Sequence, residues 1–368
     1  PTSAADGGLF APRIAFSKEA EAHRARWQRW DLAEIPPIDL AKNTAALKKG
    51  FSEEQSRWEK SASAKWSPVA VSVRDAVIAT WIAGKAPATF DPRIEGAAAI
   101  LAGEDETVMH LVASWIARAG LGGAMKALVH MWSFRRGYGS DRDAWMVEAD
   151  PATNWDSSVC WGKTYATRAL KIAFRRASEA EREAALAVAA KLRADAPLPV
   201  RVGLDKVTDV TEWVLEDARA LVDAPPATYP HDAHALINQI PDADLLARFA
   251  KRYHLTRVEP FTLIEHAGLG AQKVLEEWVG EAGNRDRTIE FSTILSALES
   301  ESTASALASR MDKKGLDAVA KAFFARRPDL GLRELGRLLA GGGKMSTFAE
   351  PALKTLAESQ PDVARAVA

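Results

Sequence analysis

Gly315-Leu316-Asp317-Ala318-Val319-Ala320-Lys321-Ala322-Phe323-Phe324-Ala325-Arg326-Arg327-Pro328-Asp329-Leu330-Gly331-Leu332-Arg333-Glu334-Leu335 decides the class of fold. After Gly315 an apolar helical run carries Val319, Ala320, Phe323 and Phe324. Pro328 then opens a second run with Leu332, Leu335, Leu338 and Leu339, and Gly341-Gly342-Gly343 ends it. Apolar residues three and four apart line one face of a helix, not a strand. Proline suits the first helical turn, and glycine tolerates the left-handed backbone that follows the last. The stretch therefore reads as two helices joined by a tight bend.

Working outward, the same turn recurs. A helix ends, a glycine or polar residue and a leucine follow, and another apolar helix begins. This happens at Gly120-Leu121, His254-Leu255, Gly268-Leu269 and Gly315-Leu316. One such hairpin cannot bury its apolar faces alone, so hairpins must stack on one another. The expected fold is all-α, as stacked antiparallel hairpins of a HEAT-like α-solenoid. An irregular all-α bundle uses the same turns and is the alternative.

Other segments carry helix punctuation. Pro68 after Ser67 begins a helix on which Val69, Val73, Val77, Ile78, Trp81 and Ile82 continue. Asp91-Pro92 opens a helix that Gly103 closes, and Glu106 to Ala119 turns Val108, Leu111, Val112, Trp115 and Ile116 inward. Ser178 and Glu181 have capping-box spacing, and Asp242 or Asp244 caps the next run. Val207, Val210, Val214, Ala218 and Leu221 read as one stripe, with Asp205 as its cap. Strand signals are almost absent.

The organisation along the chain is uneven. Residues 1–15 read as a flexible tail and 16–136 as a Trp-rich helical region. Ten of the 12 tryptophans lie at or before Trp161. Residues 137–156 read as a loop-rich linker, and 157–222 as a helical region with a basic stripe. Residues 223–240 form a proline-rich loop and a helix start, and 241–368 a helical-repeat region. The final alanine-rich residues stop inside a helical pattern, so a longer parent chain and a natural end are both open.

The 368 residues include 47% hydrophobic and 26% charged, with a formal net charge of −1. That composition buries a core and excludes wholesale disorder. Near-neutrality argues against a chain-wide field for nucleic acid or anionic lipid. The single cysteine, Cys160, cannot form an internal disulfide, which fits a cytoplasmic location. No apolar run has the length of a membrane span.

Motifs that imply chemistry fail on their spacing. His231-Asp232-Ala233-His234 lacks the glutamate and four-residue spacing of a zinc helix. Gly341-Gly342-Gly343-Lys344 has Leu338 and Met345 where a phosphate loop needs glycine and Ser or Thr. Asp141-Arg142-Asp143 lacks the glycine and glutamate of a calcium loop. Trp161-Gly162-Lys163 lies in helical rather than β context, and Cys160 has no histidine within ten residues. No metal and no cofactor is expected.

One charge feature rises above background. Lys163, Arg168, Lys171, Arg175 and Arg176 run without an acidic residue, and Arg135-Arg136 precedes them. On a helix Arg168, Lys171 and Arg175 share a face. These seven are the candidate partner-binding residues, expected on an accessible surface for a protein or peptide. Phosphate contact makes a nucleic-acid binder the alternative. A third possibility is an enzyme site assembled from His231, His234, His254 and His266.

The segments Ala322 to Leu332 and Pro351-Ala352-Leu353-Lys354-Thr355-Leu356-Ala357 resemble HEAT-type repeats. More narrowly, they are similar to repeats of bacterial molybdate metabolism regulator-like proteins, which often carry a Trp-Gly-Arg domain. The resemblance covers about the last third of the chain and rests on leucine-alanine patterns. It implies a non-catalytic helical-repeat scaffold and transfers no catalytic residue.

Overall fold

The computed structural model describes residues 10–31, 36, 38–60, 66–102, 105–138, 144–153, 161–224, 233–253 and 258–368. In chain order they form β1 (Arg13–Ile14), α1 (Lys18–Asp31), α2 (Leu40–Lys60), α3 (Pro68–Val77), α4 (Pro92–Ala102) and α5 (Asp105–Met131). A hairpin follows, β2 (Phe134–Tyr138) with β3 (Ala144–Glu148). Next come α6 (Trp161–Arg176), α7 (Glu179–Ala194), α8 (Leu198–Thr208), α9 (Thr211–Asp223) and a 3-10 turn, Ala233–Gln239. The remainder is α10 (Ala243–Arg252), α11 (Pro260–Ala267), α12 (Gln272–Glu281), α13 (Arg285–Leu295), β4 (Leu298–Glu299), α14 (Glu301–Ala308), α15 (Leu316–Arg326), α16 (Pro328–Gly341), α17 (Ser346–Ser359) and α18 (Pro361–Val367). The fold is mostly helical. The chain divides into two units, one of Pro1–Arg29 with Ile240–Ala368 and one of Trp30–Gln239.

The Trp30–Gln239 unit buries the tryptophans. Trp58, Trp81, Trp115, Phe51 and Phe134 are among its largest sealed side chains. Val108, Leu111, Val112 and Trp115 face this core as their spacing demands, and each buried aliphatic there stabilises by about 1.5–3 kcal/mol. Helix α4 lies against α5 so closely that a Cβ on Gly96 would sit 2.5 Å from the Ala127 carbonyl oxygen. Gly120 interrupts α5 with φ 64°. Ser67 accepts from the Ala70 amide at the start of α3, and Ser178 with Glu181 forms the reciprocal capping box of α7.

Three expectations change here. The stretch 137–156 is not simply a linker, because β2 and β3 pair antiparallel from Phe134↔Glu148 to Tyr138↔Ala144. Its polar, glycine-containing sequence masked a strand whose buried side, Phe134 and Met146, is short. Val207 to Leu221 is not one helix: Asp209 adopts φ 60° and separates α8 from α9. Asp205 consequently lies inside α8, fully buried, and caps nothing.

In the other unit the predicted tail is docked over its described residues 10–15. β1 pairs with β4 through Arg13↔Glu299 and Ile14↔Leu298, and the Ala15 amide donates to the Ala297 carbonyl at 2.8 Å. Arg327 ties this together. It donates to both carboxylate oxygens of Asp329, at 2.9 and 2.6 Å, and to the carbonyls of Ala11 and Glu299. The Phe10 amide donates to the same Asp329. Buried Glu299 accepts from Arg13 and Arg326. The short runs at 10–15 carry no periodicity, so sequence alone shows no docking. Residues 1–9 lie outside the described residues.

The bends of this unit follow the glycines. Gly268 and Gly315 both have positive φ, and Asp242 caps α10 by accepting from the Leu245 amide. The His254-Leu255 bend and Gly103 lie outside the described residues.

Candidate functional site

Helices α15, α16 and α17 converge at Gly331. A Cβ added there would lie 2.7 Å from Leu356 and 2.8 Å from Phe324, so only a hydrogen lets α16 sit this close to both neighbours. Phe323, Phe324, Leu330, Leu335 and Leu356 fill the apolar layer below. Above Leu335 the outer helices α15 and α17 stand apart and leave a trough of about 680 Å³.

The trough has two long walls. Phe348, Pro351, Ala352, Thr355, Leu356 and Ser359 of α17 line one side. Their spacing is that of a single helical face, about 16 Å long at 1.5 Å per residue. Asp317, Lys321, Phe324 and Ala325 of α15 line the other. Phe348 leaves 38% of its surface in solvent.

Charge gathers at one end, where Met311 to Lys314 close the trough. Lys344 donates to Asp312 at 2.8 Å, and that hydrogen bond holds the Asp312 carboxyl below the usual range. Lys321 pairs with Asp317 at 3.6 Å. The Lys314 carbonyl accepts from Arg285, which pins the turn. Lys313 and Lys314 are exposed, and no ion pair with a described residue involves either of them.

The seven basic residues expected to form a partner surface do not share an exposed face. Lys163 is buried, its ammonium 5.4 Å from the Trp132 ring centre. Arg136 is buried against Glu54 at 2.6 Å and donates to the Leu101 carbonyl at the end of α4. Lys171 and Arg175 both reach Asp209, at 3.9 and 2.9 Å. Arg168 is half-buried on α6, and Arg135 and Arg176 are exposed. Asp209, distant in sequence, pairs with two cations of the stripe, Lys171 and Arg175, and Glu54 pairs with Arg136 ahead of it.

A second polar cluster was invisible in the sequence. Asp205 and Asp217, both fully buried, lie beside each other between α8 and α9. Arg193 of α7 reaches Asp205 at 3.3 Å and Asp217 at 2.9 Å, and Arg201 reaches Asp217 at 2.7 Å. Glu216 bridges the two guanidinium groups, and Arg193 stacks over Trp213. Burial, then the hydrogen bond and charge of Asp217, push the Asp205 carboxyl up to about 8. Burial also raises Asp217. The cluster cross-links α7, α8 and α9.

Of the four histidines, His231 and His254 lie outside the described residues, as do Cys160, Asp141 and Asp143. His234 sits in the 3-10 turn and His266 in the last turn of α11. Among the described residues no three His, Cys, Asp or Glu side chains gather as metal ligands. No described helix is long and apolar enough to cross a membrane. Comparison with known protein families, with curated proteins and with solved structures returns no match.

Proposed function

We propose that this protein is a non-catalytic interaction module of stacked, HEAT-like helical hairpins, and that the trough between α15 and α17 holds a polypeptide partner. The observation that carries the reading is the continuous face of α17, Phe348 to Ser359, left unfilled beside an apolar floor. A concave, mostly apolar trough with a few polar groups at its rim is the usual form of a ligand-binding site. The two segments with a HEAT-like sequence, Ala322 to Leu332 and Pro351 to Ala357, supply both walls and part of the floor. Pairing of Arg136 with Glu54, and of Lys171 and Arg175 with Asp209, reduces the cationic surface that the nucleic-acid alternative needs.

Photo-cross-linking tests this. A benzophenone side chain replaces Phe348 in one variant and Arg176 in another, both expressed in the host cell. The expected result is one discrete adduct from position 348 that disappears when Thr355→Trp fills the trough. An adduct from position 176 alone moves the partner surface to α6.

A further inference from the structure

We infer that the occupant of the trough is an acidic amphipathic α-helix of about three turns, with its carboxylates over Lys313 and Lys314. The inference rests on the reading of the trough as the partner site and adds the chemical class of the partner. Three observations converge on it.

The first is shape. A single residue, Arg327, separates α15 from α16, and four residues separate α16 from α17. Connections this short make successive helices antiparallel, so α15 and α17 run the same way with α16 beneath. The Lys344–Asp312 bond confirms that the starts of α15 and α17 lie at the same end. A rod laid between them, above Leu335, completes a four-helix arrangement. Such a rod anchors through apolar residues at i, i+3, i+4 and i+7.

The second is length. The α17 face from Phe348 to Ser359 extends about 16 Å, and about 11 helical residues cover that distance. A volume of 680 Å³ also accommodates a small amphiphile. An elongated trough with helical walls on both sides matches a helix better.

The third is charge. The carboxylates of the rim, Asp312 and Asp317, are already matched by Lys344 and Lys321. Lys313 and Lys314 remain, at the end where α15 and α17 both begin. Helix starts carry partial positive charge; the start of α15 is already met by Asp317, which accepts from the Gly315 amide, so the two lysines and the start of α17 act together there. The lining at the opposite end, Ala325 and Ser359, carries no charge. An occupant with acidic residues at one end is therefore favoured and oriented.

The test uses the full chain and three fluorescein-labelled 18-residue peptides. Two share one leucine stripe and differ in a terminal pair, Glu-Glu or Lys-Lys; the third has the Glu pair and a scrambled stripe. Anisotropy at low and high salt reads binding. The expected result is a preference of about tenfold for the Glu peptide, as two surface ion pairs allow, with less at high salt and none for the scrambled peptide. Lys313→Glu with Lys314→Glu should reverse the preference. Phe348→Glu and Thr355→Trp, both at exposed positions, should abolish binding while the melting temperature holds.

Equal binding of the Glu and Lys peptides, lost with Thr355→Trp, overturns the acidic class and leaves the trough as a partner site. Binding that ignores Thr355→Trp overturns both. Dodecanoate bound in place of every peptide, and lost with Thr355→Trp, gives the trough to a small amphiphile. Absence of binding by any of these probes overturns the inference as well.

Discussion

Arg136 and Glu54 meet at 2.6 Å with both side chains sealed from solvent. The same guanidinium donates to the carbonyl of Leu101 in the last turn of α4, where helix carbonyls lack internal partners. One side chain thus neutralises α2 and closes the end of α4. Replacing it with Arg136→Met strands a buried carboxylate, and the expected loss is about 3–5 kcal/mol. The double variant Glu54→Leu/Arg136→Met should recover most of it. Urea unfolding of the three proteins at pH 7 checks this; a single variant no weaker than the double contradicts it.

The Asp205–Asp217 pair makes stability depend on pH in an uncommon direction. The folded Asp205 carboxyl titrates at about 8, far above its unfolded value of 3.8. The folded state therefore binds the proton more tightly. Its contribution is complete below about pH 4 and declines as the pH rises toward 8, by at most about 1.4 kcal/mol per unit for one proton. Asp205→Asn removes the titration of that side chain. Denaturation across pH 5–8 should show a wild-type minus variant difference that falls with pH. A flat difference rejects the raised Asp205 titration.

Gly96 lets the backbones of α4 and α5 touch. A Cβ there meets the Ala127 oxygen at 2.5 Å and the Met131 nitrogen at 2.8 Å, both main-chain atoms. Gly96→Ala should cost about 1–3 kcal/mol, since overpacking forces a backbone shift. The improved helix propensity of alanine, about 1 kcal/mol, does not offset a collision with backbone. Thermal unfolding decides between these two effects by the sign of the change.

Arg327 holds the amino-terminal segment. Arg327→Ala removes its donors to Asp329, Ala11 and Glu299 together. The Ala15 amide, bonded to the Ala297 carbonyl, should then exchange its hydrogen faster by about tenfold or more, as expected for one or two lost buried hydrogen bonds. Amides in α7 should keep their wild-type rates. Unchanged exchange at Ala15 means that β1 is held by other contacts.

Local chemistry was legible in the sequence where it acts within a few residues. Ser67, Ser178 and Asp242 cap their helices, and Pro328 and Gly342 bound α16 as read. Periodicity located the inward face of α5. Whatever depends on partners far along the chain was not legible. Lys171 and Arg175 looked unopposed because Asp209 lies 34 residues beyond Arg175, and Arg136 of β2 looked so because Glu54 lies 82 residues before it. Asp205 resembled a cap because its neighbour Asp217 and its counter-ion Arg193 come from other helices. The trough walls were visible as repeat-like segments. That they leave a gap depends on how far α15 and α17 stand apart above Leu335, which no pattern in either segment encodes.

The ladder between β1 and β4 also sets an order of events at the ribosome. Arg13 must wait for Glu299, 286 residues later, which is about 15–60 s of elongation at 5–20 residues per second. Meanwhile the whole stretch from Trp30 to Gln239 emerges and has time to collapse on its own. The first-made strand is therefore among the last to find its place, and until then a nascent chain carries it unpaired, open to any chaperone that binds extended segments.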